Sequence, residues 1–168
     1  AASDVYKRQA ATLTLEQKVG QLFIVRPDAL DLTLSQETID DPRADGVTQV
    51  TDAMRETLQQ YPVGGICQFG KNIESPSQLA RFNKDLQAAS ATPLFITVDE
   101  EGGMVARLAN NDAFDLPRYA SAAAVGASGD PENARAMGQT IGVYLKTYGF
   151  NMDFAPDADV NTNPDNPI

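Results

Sequence analysis

Five carboxylate side chains fall in two short stretches of this 168-residue sequence, where they could act together: Asp99, Glu100, Glu101, Asp157 and Asp159. The first three directly follow the apolar run 94–98, and the other two follow the segment 150–156. Carboxylate oxygens accept hydrogen bonds from hydroxyl groups, such as those of a sugar, and they are also ligands that Mg²⁺ favours. Glu100 and Glu101 can equally be solvated charges of a loop, in which case Glu100→Gln would change little.

Composition excludes several other kinds of chemistry. The chain has no His and one Cys, Cys67, so it cannot itself form a Ser-His-Asp triad, a Cys-His dyad, a His-ligated metal site, an internal disulfide or a thiolate zinc cluster. Cys67 is therefore interpreted as a small apolar core residue. The formal net charge of −10 disfavours nucleic acid and anionic membranes as partners. No apolar run approaches the ~20 residues that a membrane-spanning helix needs.

Strands and helices alternate along the segments that must position the carboxylates. Apolar runs predict four strands, at 22–25, 63–69, 94–98 and 150–156. Helical spacing and N-cap signals predict helices at 47–61, from Ser75 and from Asp130, the last ending at Gly149. This alternation without hairpin turns indicates a parallel α/β sheet with right-handed crossovers. Residues 26–45 are interpreted as a long loop.

The carboxyl ends of parallel strands are where such sheets bind ligands, because the loops there converge on a rigid base. Both carboxylate stretches follow predicted strands, so they are expected at this edge. No G-x-G-x-x-G or phosphate-binding loop follows the first predicted strand, which disfavours a nucleotide-binding version of the fold. Lys71, near the same edge, is interpreted as a solvated side chain.

The two ends of the sequence do not resemble parts of a folded domain. Residues 1–9, AASDVYKRQ, can be back-translated to a transposon-adapter sequence, and we interpret them as a non-native scar that packs against little. Residues 161–168 stop inside a turn-rich loop. Together these features predict a gene fragment, with the domain occupying residues 10–168.

A family resemblance is carried by residues 98–103, Val-Asp-Glu-Glu-Gly-Gly, followed by Val105 and Arg107. This stretch resembles the signature of glycoside hydrolase family 3, specifically its β-N-acetylhexosaminidase branch. Four further stretches fit in the family's order, at 13–23, 63–73, 126–131 and 154–161. The sequence departs from the pattern at Met104, where the family commonly has Arg or another polar residue, and at 157–158, where an apolar pair is often found.

The resemblance implies a TIM-type (β/α)₈ barrel that removes terminal β-linked N-acetylglucosamine from cell-wall or chitin-type saccharides with retention of configuration. Such a barrel needs about 250 residues, so the four visible β/α units are expected to be its N-terminal half. By the resemblance, Asp99 accepts hydrogen bonds from the sugar, Arg107 donates to it, and Asp159 supports the site or the substrate. The family's Lys-His motif, His acid/base and Asp nucleophile lie in the later half. The chain alone is therefore expected to be inactive, with its catalytic groups beyond Ile168 and with no metal or cofactor.

The resemblance also predicts the geometry of the half-barrel. Four adjacent parallel strands should be centred near Phe23, Ile66, Ile96 and Phe154, with helices on one outer face. Asp99 and Asp159 should lie at the same edge of the sheet, with Arg107 turned towards it. The other face should be open, leaving Ile96 and Phe154 less protected than in a closed barrel.

Other interpretations stay open at this point. A β-glucosidase-type member of the family, a carbohydrate-binding protein without the chemistry, and a Mg²⁺-dependent lyase or aldolase barrel would all fit these residues. Arg107 could instead form a surface ion pair with Asp112 or Asp115. The long segment 26–61 resembles extended forms in secreted or envelope-attached homologues, which favours an exported protein, with a cytoplasmic one as the alternative.

Overall fold

The computed structural model describes residues 7, 10–160, 162–163 and 165. Its helices are α1 (Leu15–Gly20), α2 (Gln36–Asp40), α3 (Asp52–Gln60), α4 (Pro76–Ala89), α5 (Ala122–Ala127) and α6 (Pro131–Thr147). Its strands are β1 (Ile24–Val25), β2 (Gly65–Gln68), β3 (Phe95–Val98), β4 (Glu100–Gly102), β5 (Val105–Ala106) and β6 (Met152–Asp153). Short 3₁₀ helices occupy Pro27–Leu30 and Gly70–Asn72.

The central sheet has four parallel strands in the order β1-β2-β3-β6, which confirms the predicted sheet. Spatial order follows chain order, as in the wall of a barrel, whereas a doubly wound sheet reverses direction at its switch point. Strands β4 and β5 were not predicted; they form a separate antiparallel hairpin directly after β3. This hairpin stands at the carboxyl edge of the sheet, where a ligand site is expected.

The main helices begin where the sequence predicts, because side-chain caps fix their first turns. Ser75 accepts a hydrogen bond from the backbone N–H of Gln78, with Pro76 in the first helical position. At the start of α6, the side chain of Asp130 accepts a hydrogen bond from the backbone N–H of Glu132. After the end of α6, Gly149 has a φ of +87°. Helix α3 starts later than predicted, after its cap Thr51. None of the helices among the described residues has the length and the apolar composition of a membrane span.

The core lies between one face of the sheet and the helices. Side chains alternate across a strand, so Ile96 and Val98 of β3 point to the helical side and are fully buried. They join one apolar cluster with residues of α4 and α6: Leu79, Phe82, Leu86, Met137, Ile141 and Leu145. The helices thereby hold the sheet from one side, as the half-barrel interpretation predicts.

The opposite face of the sheet is open, but not at all the predicted residues. Phe154 is 43% exposed, which confirms the expectation for that side chain. Ile96 is 0% exposed, so the expectation for it was wrong; the alternation turns its neighbour Phe95 to the open face instead, with 52% of its surface exposed. Ile24 pairs in register with Gly65, and Gly65 with Phe95, so these apolar positions share the open face.

Residues 26–45, interpreted above as a loop, contain helical turns held by a buried ion pair. The Lys71 side chain is 6% exposed, and its Nζ lies 3.7 Å from Asp28 Oδ1. The same ammonium donates to the carbonyl oxygens of Thr38 and Ile39 at 3.0 and 2.9 Å. Asp28 also accepts from Asn72 Nδ2 at 2.9 Å and from a backbone N–H. The interpretation of Lys71 as a solvated residue was therefore wrong.

The expectation that residues 1–9 pack against little falls outside the described residues, apart from Lys7, which is exposed.

We expect Asp28→Ala to destabilise the fold far more than Asp112→Ala. Removing Asp28 leaves the Lys71 ammonium buried without its counter-ion, which typically costs about 3–5 kcal/mol. Asp112 forms an ion pair with Arg118 in which both side chains are largely exposed, and such pairs are worth about 0–1 kcal/mol. Urea unfolding followed by circular dichroism measures both free energies. Equal losses for the two variants would contradict a stabilising role for the buried pair.

Candidate functional site

Residues from three strands meet at the carboxyl edge of the sheet. Arg26 follows β1, Phe69 follows β2 and Asp99 follows β3. The guanidinium carbon of Arg26 lies 4.6 Å from the centroid of the Phe69 ring, and that of Arg107 lies 5.7 Å from it. Both distances are within the range of cation–π attraction. We call these four residues, Arg26, Phe69, Asp99 and Arg107, the rim cluster.

Asp99 and Arg107 form the ion pair of the rim cluster. Arg107 Nη2 donates to Asp99 Oδ2 at 3.3 Å, and both side chains are partly exposed. The Nε of Arg107 is buried and has no hydrogen-bond partner in the described part of the chain. A guanidinium carries five N–H donors, so Arg107 keeps donors for a ligand while it holds Asp99. The alternative ion pair with Asp112 or Asp115 was wrong: Arg107 pairs with Asp99, and Asp112 pairs with Arg118 at 2.7 Å.

The β4–β5 hairpin returns Arg107 to Asp99. Gly102 ends β4 and Gly103 begins the turn, with φ of +85° and +61°, a region that residues other than glycine rarely adopt. A Cβ on Gly102 would lie 2.7 Å from Met137 Cε, and one on Gly103 would lie 2.9 Å from a backbone oxygen. The glycines are needed for the turn itself. Met104, the departure from the family pattern, is exposed.

Glu100 lies on the opposite side of the chain from Asp99 and is 0% exposed. Its Oε2 accepts from the backbone N–H of Leu108, and its Oε1 from the N–H of Ala109, both at 2.9 Å. The hydroxyl of Tyr144 on α6 donates to Oε1 at 2.8 Å. The interpretation of Glu100 as a solvated loop charge was therefore wrong.

Asp153 on β6 is a further carboxyl group of this region that sequence reasoning missed. Burial raises its pKa to about 6, and the nearby charges of Glu100, Asp99 and Glu101 act in the same direction, against a hydrogen bond from the N–H of Glu100. Burial also raises the pKa of Glu101, helped by the charges of Asp157 and Asp99. An acidic residue inside a predicted buried strand was the available signal for Asp153.

Among the described residues, Asp159 forms no hydrogen bond or ion pair with the rim cluster. It is exposed, and its backbone N–H donates to Asp157 Oδ1 at 2.9 Å. Strand β6 is parallel to β3 and ends at Asp153, six residues before Asp159. The location of Asp159 at the same edge as Asp99 stays a prediction.

Arg26 and Phe69 were also missed as site residues. Arg26 is held by a salt bridge to Asp40 at 3.0 Å and by the carbonyl of Ile39 at 3.0 Å. Arg26 directly follows the predicted strand 22–25, and Phe69 is the last residue of the predicted strand 63–69. Their positions at the carboxyl ends of strands were therefore the signal, as for Asp99. The described part of the chain contains no group of three or more His, Cys, Asp or Glu side chains arranged to hold a metal ion.

Comparisons with known proteins agree on one family. Residues 14–168 match the profile of the glycosyl hydrolase family 3 N terminal domain. Beta-hexosaminidase A of Pseudoalteromonas piscicida is 33% identical over 165 residues, which are 93% of this chain and 27% of that protein. A beta-hexosaminidase of Thiobacillus denitrificans is 34% identical over 119 residues, covering 68% of this chain and 32% of that protein.

A solved structure gives the same result in three dimensions. The glycoside hydrolase family 3 beta-N-acetylglucosaminidase from Paenibacillus sp. str. FPU-7 superposes with a TM-score of 0.70 at 36% identity, covering 93% of this chain and 26% of that one. The chain thus spans about a quarter to a third of the length of these relatives. With a parallel sheet in barrel order and a profile match from residue 14 onward, the chain belongs to glycoside hydrolase family 3, in the N-terminal TIM-type domain of that family.

Proposed function

We propose that this chain supplies the N-terminal part of the sugar-binding wall of a retaining β-N-acetylhexosaminidase. The enzyme would remove terminal β-linked N-acetylglucosamine from cell-wall or chitin-type saccharides. The observation that carries this proposal is the partly exposed Asp99–Arg107 pair at the carboxyl end of β3. The names of the relatives, beta-hexosaminidase and beta-N-acetylglucosaminidase, support the choice of sugar.

The pair suits the recognition of a neutral, hydroxyl-rich ligand. Asp99 presents carboxylate oxygens that accept hydrogen bonds from sugar hydroxyls, and Arg107 presents N–H donors to hydroxyl or carbonyl oxygens. The ion pair between them holds both groups in place before the sugar arrives, so less side-chain freedom is lost on binding. Asp159, beyond β6, would support the substrate or the site from the next strand.

The bond-breaking groups would come from outside these 168 residues. Retaining hydrolysis needs a carboxylate nucleophile and an acid/base group on the two sides of the glycosidic bond. Asp99 is already paired with Arg107 at 3.3 Å, and its carboxylate oxygens suit it to accept hydrogen bonds from a sugar. The chain has no His, and it spans 27% of the Pseudoalteromonas relative, so most of a comparable enzyme would lie elsewhere.

Expressed alone, this chain should not hydrolyse an aryl β-N-acetylglucosaminide. Without a nucleophile and an acid/base group, neither the covalent step nor the proton transfers can occur. Release of the aryl group is measured against a mock-purified control. Turnover clearly above that control, and abolished by Asp99→Ala, would place the reacting groups within this chain and overturn the proposal.

In the full-length protein, Asp99→Ala and Arg107→Ala should each lower kcat/KM for the same substrate roughly tenfold to over a hundredfold. A lost charge-assisted hydrogen bond to a bound sugar costs about 1.5–3 kcal/mol. The matched controls are Asp112→Ala and Arg118→Ala, which break an exposed ion pair of the same kind. We expect the controls to retain wild-type kinetics. Wild-type kinetics for the Asp99 and Arg107 variants as well would remove these two residues from the sugar site.

A further inference from the structure

Glu100 is a fully buried carboxylate whose three donors come from two separate parts of the chain. Two are the backbone N–H groups of Leu108 and Ala109, each at 2.9 Å. The third is the hydroxyl of Tyr144 at 2.8 Å, from helix α6. Burying a carboxylate is costly unless its oxygens are hydrogen-bonded. The location of Glu100 is therefore tied to these three groups.

The bonds of Glu100 link the two ligand-facing residues through their chain neighbours. Glu100 directly follows Asp99, and Leu108 and Ala109 directly follow Arg107. Each oxygen of Glu100 holds one of the two peptide groups next to Arg107. The separation of Asp99 and Arg107 is thus set by a side chain that faces away from the ligand.

The neighbours of Arg107 in the chain, Ala106 and Leu108, are buried, but the contacts of the Arg107 side chain itself and the pairing of its hairpin are weak restraints. The hairpin that carries it has strands of three and two residues, with a register shift between Glu100 and Gly102, and a ribbon of this size is marginally stable by itself. The direct bond to Asp99 is 3.3 Å long, and the Phe69 ring is 5.7 Å away. The Nε of Arg107 has no partner among the described residues.

We infer that Glu100 is a positioning residue, which holds Arg107 at the sugar site by fixing residues 108 and 109 against β3 and α6. This inference rests on the proposed function, because it assigns Arg107 a role in binding the sugar. Glu100 itself does not touch the ligand. Its effect on activity passes through Arg107.

The first variant is Glu100→Gln in the full-length protein. It keeps the size of the side chain but places an NH₂ group against one of the two backbone N–H donors, so one bond must break. We expect kcat/KM for the aryl β-N-acetylglucosaminide to fall ~10- to 100-fold, because a misplacement of about 1 Å at a binding group has an effect of this size. Tyr144→Phe should cause a smaller loss, since the two backbone bonds remain. Tyr148→Phe, the same change one helical turn later, is the matched control and should retain wild-type kinetics; its ring packs edge-on against Phe114.

A double-mutant cycle separates positioning from a general effect on the fold. If Glu100 acts through Arg107, Glu100→Gln in an Arg107→Ala background should lower kcat/KM by no more than about twofold further. A further loss of tenfold or more in that background, or wild-type kinetics for Glu100→Gln alone, would overturn the inference. Melting temperatures are measured for every variant to show which of them fold. If Glu100→Gln does not fold, the same cycle of Tyr144→Phe with Arg107→Ala tests the inference in its place. Wild-type kinetics for Arg107→Ala alone would instead overturn the proposed function.

Discussion

The Glu100 carboxylate brings together the sheet, the hairpin and helix α6 at one buried point. It lies two residues after the end of β3, it accepts from two backbone N–H groups that follow β5, and it accepts from Tyr144 on α6. An unpaired carboxylate at this depth would be strongly destabilising. The chain that follows β3 must therefore fold back over Glu100, and this return brings Arg107 beside Asp99. The Asp99–Arg107 pair depends on the buried carboxylate.

The half of the barrel wall seen here explains why the sheet has one covered and one exposed face. Helices α4 and α6 bury Ile96 and Val98, while Phe95, Met152 and Phe154 stay partly exposed on the other side. In a closed barrel the inward-pointing side chains of all eight strands fill the interior in layers. The relatives are three to four times as long as the matched region, which leaves room for the strands that would cover this face. An exposed apolar surface of this kind is a site where association is expected until it is covered.

The sequence was sufficient for the features that depend on local chemistry. Caps at Ser75 and Asp130, the alternation of strand and helix, and the position of Asp99 after a strand are each set by a few neighbouring residues. The family resemblance added Arg107, which no local pattern distinguishes from a surface ion pair. These parts of the fold and of the site were therefore predicted.

The remaining features depend on contacts between distant parts of the chain. In the sequence, Glu100 resembles a loop charge, because its donor Tyr144 lies 44 residues later in the chain. In the sequence, Lys71 resembles a solvated side chain, because the carbonyl groups of residues 38 and 39 that accept from its ammonium lie more than 30 residues earlier. Ile96 was expected on the open face, but its neighbour Phe95 lies there, because a shift of one residue in a strand reverses the faces. Short strands with apolar residues on both faces do not fix that choice by pattern alone.

A crystal structure of the full-length protein with bound N-acetylglucosamine tests the central claim most directly, namely that this chain supplies part of the sugar-binding wall. We predict that a carboxylate oxygen of Asp99 and a guanidinium nitrogen of Arg107 lie about 2.7–3.2 Å from oxygens of the same sugar ring. The contacts of Glu100 with residues 108, 109 and 144 should be unchanged in that complex. A sugar bound elsewhere, with the Asp99–Arg107 pair facing only solvent, would contradict the account.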